Sequence, residues 1–372
     1  MSQNDSFRHL YDMPEKGTYF LSHSVGLLPK SAEKALKQQF FQAWRNGDDQ
    51  IWPHWLNAVD HFRQALAKLL NADSHAFCPQ MNVSSGLTKV IGSLPMHQSK
   101  NTLLISENDF PSTSFVIKQA KRLGYEIKVI PKGRDHQNLE TWTEFLTPEV
   151  AAVFITHVHY NTNQLIPVAQ ISALARTIDC MTIVDVAQSI GIVPIDLQSW
   201  HVDVVVGSCI KWLCGGPGAG FMWVNPCVNN QLEPLDVGWF SHDNPFEFDP
   251  NNFEYANDSS RFWGGTPSIA PFVIATNSIE QQLQIGIEKI RLNNKVLCQK
   301  LMSAVDRKFV VSPTDLDKKG GTLVLKFDEQ DKVIEKLNAM NMMFDARELG
   351  LRVSPHIYND DDDIDRLIQC LP

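Results

Sequence analysis

No apolar run in this chain approaches the roughly 18 residues a membrane-spanning helix needs, and the opening segment MSQNDSFRHLYDMPEKG carries no apolar signal core. A membrane partner is not expected, and the cytoplasm is the expected location. No cluster of Lys or Arg stands out, and the formal net charge is −9, so the electrostatic footprint of a nucleic-acid binder is missing. The seven cysteines form no CxxC pair and are odd in number; most lie among apolar neighbours, which suits reduced, buried thiols in a reducing compartment. Low-complexity linkers and internal repeats are also lacking. What remains is 372 residues, 43% apolar and 20% charged, long enough for a sizeable core.

Short apolar runs alternate with helical patterns through the middle of the chain: Thr102 to Ser106, Glu126 to Pro131, Ala151 to Thr156, Thr182 to Val186, Asp203 to Gly207 and Gly220 to Val224. Most are apolar on both parities, as strands covered by helices on both faces must be. This predicts an α/β three-layer sandwich with a mostly parallel central sheet. Helices are predicted over Ser31 to Arg45 and Trp55 to Leu70. After about residue 267 the pattern changes to a long helical stretch, Ile269 to Leu301, short strands near Phe309 and Gly321 to Phe327, and a final helix from about Asp362. The expected organisation is an N-terminal segment (1–20) packing with a smaller α+β domain (268–372), and a large domain (21–267) between them.

The densest chemical signal is Thr182-Ile-Val-Asp-Val-Ala-Gln188, followed by Gly207-Ser-Cys-Ile-Lys211-Trp-Leu-Cys-Gly-Gly-Pro-Gly-Ala-Gly220. Asp185 ends an apolar strand, at the sheet edge where open α/β folds bind ligands. Lys211 follows another strand and precedes a glycine-rich turn, where scarce water lowers an amine's pKa and frees it to form an imine. A lysine for the imine and a buried carboxylate to keep a pyridine nitrogen protonated are the pair pyridoxal 5'-phosphate requires.

With these residues in place, the chain resembles class V of the fold-type I pyridoxal-phosphate enzymes, which includes aminotransferases, cysteine desulfurases and kynureninase. The resemblance covers nearly the whole sequence. It likens Tyr19-Phe-Leu-Ser-His-Ser-Val-Gly26 to the substrate-site entry, with Ser24 as a substrate-binding residue. Met81-Asn-Val-Ser-Ser-Gly-Leu87 corresponds to the phosphate-binding segment, with Ser84 and Ser85 as contacts at a helix start. Phe110-Pro-Ser112 is similar to a kynureninase segment whose ring stacks on the cofactor. Tyr160-Asn-Thr-Asn-Gln164 parallels a family turn that often has glycine where Asn163 stands, a position asparagine tolerates. Gly238-Trp-Phe-Ser-His242 and Gly264-Gly-Thr-Pro267 also have kynureninase-like counterparts. Through them the resemblance assigns Trp239 and Thr266 to the phosphate, Thr266 to that of a neighbouring subunit, and His242 to the substrate cleft. Phe344-Asp-Ala-Arg347 and Leu351-Arg-Val-Ser-Pro-His-Ile-Tyr-Asn359 match the family's ending, where Arg352 would bind the substrate α-carboxylate with its planar fork. A homodimer with shared active sites is the implied assembly.

Three other patterns carry less. Gly216 to Gly220 has the spacing of a dinucleotide loop, but a strand follows instead of a helix. His157 and His159 share a strand face without an obvious third ligand, so no metal is expected. Asp360 to Asp363 lacks the spaced ligands and glycine of a calcium loop, and reads as a helix cap.

The resemblance settles the cofactor better than the reaction. A desulfurase requires a nucleophilic cysteine ahead of the carboxylate-binding arginine, and none lies between Cys298 and Arg352. The kynureninase pattern has histidine where Gln188 stands and tyrosine where Ile210 stands. Gln188 is the residue that aminotransferase-like and desulfurase-like members place near the cofactor's phenolic oxygen. The expectation is therefore a class V aminotransferase acting on an α-amino acid. A kynureninase-type hydrolase or Cβ-cleaving lyase is the alternative. A non-catalytic binding protein of the same fold is a distant third, disfavoured by the joint presence of Asp185, Lys211 and Arg352.

Overall fold

The computed structural model describes residues 7–47 and 49–372. A two-residue strand, β1 (Thr18–Tyr19), precedes seven strands that build the central sheet: β2 (Phe77–Gln80), β3 (Thr102–Ser106), β4 (Glu126–Ile130), β5 (Val150–Thr156), β6 (Met181–Asp185), β7 (Val204–Ser208) and β8 (Gly220–Val224). Their order is β2-β8-β7-β6-β5-β3-β4, and only β8 runs against its neighbours.

The double-sided apolar pattern has the expected consequence. On β6, Val184 faces a core shared with the helices Ile51–Leu70, Val168–Thr177 and Ala270–Ile285. Its neighbour Ile183 faces the opposite core, beneath the helices Val83–Ser93 and Pro111–Gln119. The sheet is thus the middle of three layers, the fold-type I arrangement. Ile51–Leu70 presents Ala58, Phe62 and Leu66 inward from successive turns, all of them buried.

The helical stretch after residue 267 is two helices, Ala270–Ile285 and Ile287–Ser303, parted at Gly286, whose φ of +92° no helix accommodates. The first packs on the large core. The second helps cover a separate core with β9 (Leu323–Leu325), β10 (Met342–Met343), β11 (Asp345–Arg347) and β12 (Gly350–Val353). Phe309, expected in a strand, ends a short 3₁₀ turn, and it is Val310 that bridges to Leu325. β1 pairs in parallel with β10, and Phe20 lies inside this second core. The last helix, Asp361–Ile368, is capped by Asp360 with Asp363 answering in a capping box, as the acidic run implied.

Candidate active site

Parallel strands deliver their C-terminal ends to one edge, and the chemistry-bearing residues collect there. Asp185 ends β6; Thr156 ends β5 directly opposite it in register; Lys211 lies just beyond β7, and Phe110 just beyond β3. Together with Asn82, Val83, Ser84, Tyr160, Gln188 and Ser208 they line a cavity of about 210 Å³.

The loop that carries Lys211 is held by backbone contacts. Cys214 N–H donates to the Lys211 carbonyl at 2.9 Å, Gly215 N–H to the Cys209 carbonyl at 2.7 Å, and Gly26 N–H to the Ile210 carbonyl at 2.8 Å. Gly26 is required for that approach, because a Cβ there would stand 2.3 Å from the Lys211 carbonyl oxygen and 2.5 Å from Cys214 Sγ. The entry segment is thereby pressed against the lysine loop.

Electrostatics in the cavity follow burial. Desolvation pushes the Lys211 amine below its ordinary range; the Asp185 charge opposes that shift and the Arg352 charge adds to it. Burial raises the Asp185 carboxyl, partly offset by the Ala187 N–H that it accepts at 2.7 Å and by Lys211. Behind them lies Asp109, pushed up to about 7 by burial, although it accepts bonds from Thr156 Oγ1 at 2.6 Å and Ser106 N–H at 2.8 Å. The Phe110 ring centroid is 5.8 Å from Lys211 Nζ, and Tyr160 meets that ring edge-on at 5.2 Å.

One corner of the cavity is the start of the helix Val83–Ser93. Asn82 caps it by accepting Ser85 N–H at 2.9 Å, leaving the Val83 and Ser84 N–H groups at the cavity.

Arg352 stands on β12 beside this cavity. Its Nη1 donates to the carbonyl of the cavity residue Tyr160 at 3.0 Å, and its Nη2 to Asp345. The Gln188 amide is partly engaged: Nε2 donates to the His23 carbonyl at 3.1 Å, and Oε1 is buried without a partner. His23 is itself buried and held neutral, its pKa pushed down to about 4 chiefly by desolvation.

Of the residues expected at the site, Asp185, Lys211, Ser84, Phe110 and Gln188 share the cavity, with Arg352 adjoining it. Ser85, Ser24, His242, Trp239 and Thr266 do not line it. Ser24 and Thr266 are exposed. Trp239 packs in an aromatic group with Trp52, Phe240, Phe246 and Phe248. Both ring nitrogens of His242 are engaged, by the Asn252 carbonyl at 3.0 Å and Asn244 N–H at 2.8 Å. The Trp239 and Thr266 segments are tied to each other, since Ser241 Oγ accepts N–H groups from both Gly238 and Gly264. The expectations passed over Asn82, Thr156 and Ser208, and also His23 and Asp345. Only Asn82 had a readable signal, as a cap residue ahead of a helix.

Comparison with known proteins agrees with this geometry. Residues 19–367 match the family described as Aminotransferase class-V. The uncharacterized aminotransferase YcbU of Bacillus subtilis is 24% identical over 356 residues, spanning 95% of this chain and 94% of that protein. Kynureninase from Pseudomonas fluorescens is 24% identical over 358 residues, spanning 92% and 84%. Among solved structures, the C-DES cystine lyase, in a variant with glycine covalently linked to its pyridoxal-phosphate cofactor, superposes with a TM-score of 0.88 at 21% identity, covering 97% of this chain and 98% of that one.

The cavity fits that cofactor. It offers one amine of depressed pKa, one buried carboxylate, an aromatic face, and a capped helix start with free N–H groups. The chain belongs to the class V aminotransferase family, fold-type I enzymes whose cofactor is pyridoxal 5'-phosphate.

Proposed function

We propose that this enzyme transfers the amino group of an α-amino acid, as a class V aminotransferase, using Lys211 as the point of cofactor attachment. The observation that carries this reading is the single cavity shared by the Lys211 amine, the Asp185 carboxylate and the Phe110 ring. When bound, pyridoxal phosphate supplies an electron sink for the charge left at Cα. Asp185 would keep a proton on the pyridine nitrogen, Phe110 would stack on the ring, and the Val83–Ser84 helix start would hold the phosphate, Ser84 from the cavity wall and Ser85 from the position next to it. Arg352 orients the substrate carboxylate, and Lys211 Nζ is the base placed to take a proton from Cα and return it.

Cysteine chemistry is not supported. Six of the seven thiols are buried, the exposed one is Cys227, and none lines the cavity. The second reading, Cβ cleavage by a kynureninase-type hydrolase or lyase, is favoured by Tyr160, a second aromatic ring in the cavity beside Phe110, which suits a substrate carrying a ring. Against it stand Gln188 and Ile210 in place of the histidine and tyrosine of the kynureninase pattern. Incubating the holoenzyme with a panel of amino acids, kynurenine and cysteine derivatives among them, with and without keto acids, decides between the two. Aminotransfer gives keto acid beyond one equivalent per site only when an acceptor is supplied, whereas Cβ cleavage turns over without one and releases the side chain as a separate product.

The working enzyme is a homodimer with shared sites. Trp239 and Thr266 do not line their own chain's cavity, so they are free to serve the partner's. Exposed Phe115 and Leu235, 65% and 75% accessible, line one groove that a second subunit would cover. Reduced, mostly buried thiols accord with a cytoplasmic enzyme.

A further inference from the structure

Arg352 already faces a carboxylate. Asp345 on β11 is its cross-strand partner in the antiparallel register, so the two side chains emerge on one face of the hairpin. Asp345 Oδ2 takes the Arg352 Nη2 donor, and it also accepts from Arg347 Nε at 3.2 Å and lies 3.5 Å from His23 Nε2. Burial works to raise its pKa, but the hydrogen bonds from His23 and Arg352 and the charges of both arginines outweigh that and lower it, so it is charged throughout the working range. His23 is neutral and is anchored on its other side to Ser354 Oγ at 2.6 Å. The local charge is therefore two guanidinium groups against one fixed carboxylate. The Arg352 Nε is buried with no partner, so the fork is not saturated by the protein. Arg347 is the exposed member, its side chain 65% accessible.

We infer that Asp345 is a specificity-determining residue that occupies the place of a second substrate carboxylate between Arg352 and Arg347, restricting the site to amino acids with a single carboxylate. This rests on the reading of Arg352 as the α-carboxylate partner. A monocarboxylate meets one net positive charge and completes it. The side-chain carboxylate of an aspartate- or glutamate-like substrate finds Arg347 engaged and a like charge beside it. Discrimination comes from repulsion as much as from attraction.

The test is calorimetric binding of propionate, succinate and glutarate to the holoenzyme and to four variants. Asp345→Asn keeps the side chain's shape and an oxygen acceptor for Arg352 while removing the charge. It is expected to raise the dicarboxylate-to-propionate affinity ratio roughly tenfold, between the water and protein-surface limits for two unit charges a few ångströms apart. Adding Arg347→Gln to that variant should cancel the gain. Asp345→Ser tests the same point should the asparagine protein fail to fold. An unchanged ratio, or equal weakening of all three ligands, overturns the inference and leaves Asp345 as a positioning residue for Arg352. Wild-type preference for dicarboxylates overturns it too. Arg352→Gln separates the underlying reading: binding of all three ligands should fall, and unaltered binding there refutes Arg352 as the carboxylate site.

Discussion

Replacing Gly26 with alanine adds one carbon atom and tests how the fold holds the lysine. The new Cβ would lie 2.3 Å from the Lys211 carbonyl oxygen, where real contacts are 3.0 Å or longer, so something must give by about 0.7 Å. Neither obstacle yields easily. One is backbone within the loop tied at Cys209 and Cys214, and the other is the buried Cys214 thiol. Overpacking of this kind costs about 1–3 kcal/mol, enough to lower the melting temperature by a few degrees in a protein this size. Because the displaced atoms include the backbone of Lys211, cofactor affinity should fall as well, and turnover by up to roughly 100-fold, the cost of a misplacement of about 1 Å at reacting groups. Gly133→Ala is the control, as nothing lies within 4 Å of its Cβ position. Melting of the holo and apo proteins, with cofactor titration followed by absorbance, reads both effects. Wild-type melting and wild-type cofactor affinity in Gly26→Ala would refute the argument that this close approach positions the lysine.

Other expectations follow from the same geometry. Asp185→Asn should keep some cofactor yet lose turnover by several kcal/mol in transition-state terms, roughly 100-fold or more, measured as kcat with the best substrate; near-normal kcat contradicts its role. Asn82→Ala removes a helix cap worth about 1 kcal/mol and should speed cofactor loss on dialysis, whereas unchanged retention would separate that helix start from the phosphate. Asp109, its pKa raised to about 7 in the folded state, binds more protons folded than unfolded between about pH 4 and 7. Its contribution is therefore most favourable below the unfolded value and is lost as pH rises toward 7. Asp109→Asn should consequently be relatively more stable than wild type at pH 8 than at pH 5 in denaturant titrations of the apoprotein; a pH-independent difference rejects the buried-carboxyl account. Mixing inactive Lys211→Ala subunits with inactive Thr266→Ala subunits should restore activity in hybrids that hold one intact site, and no recovery despite proven subunit exchange would count against sharing.

Strands β3 and β5 to β8 were legible because burial on both faces leaves an apolar run with no competing period; β4, exposed at the sheet's other edge, was legible from its β-branched residues. β2 was not, since it is four residues long and contains Pro79, which normally argues against a strand; it survives because β2 is at the sheet's edge, where a missing N–H is tolerated. The break at Gly286 was hidden because the apolar pattern continues across it, and only its positive φ ends the first helix. At the site, Asp185 and Lys211 could be read from the apolar strands they end or follow and from the glycine-rich turn after Lys211, whereas Ser84, Phe110 and Gln188 came only through the family resemblance. The pairing of Asp345 with Arg352 depends on the register of a short hairpin, which seven residues of sequence do not announce. Gln188 was assigned by type to the cofactor, yet its amide is taken up by the His23 carbonyl, a contact between segments 165 residues apart.

The central claim is that Lys211, and no other lysine, carries the cofactor. Reduction of the holoenzyme with borohydride makes that linkage permanent, and peptide mapping then locates it. The account predicts a single pyridoxyl-labelled peptide containing Lys211, with the label abolished in Lys211→Ala. A label on another lysine, or stoichiometric labelling that survives that substitution, contradicts it.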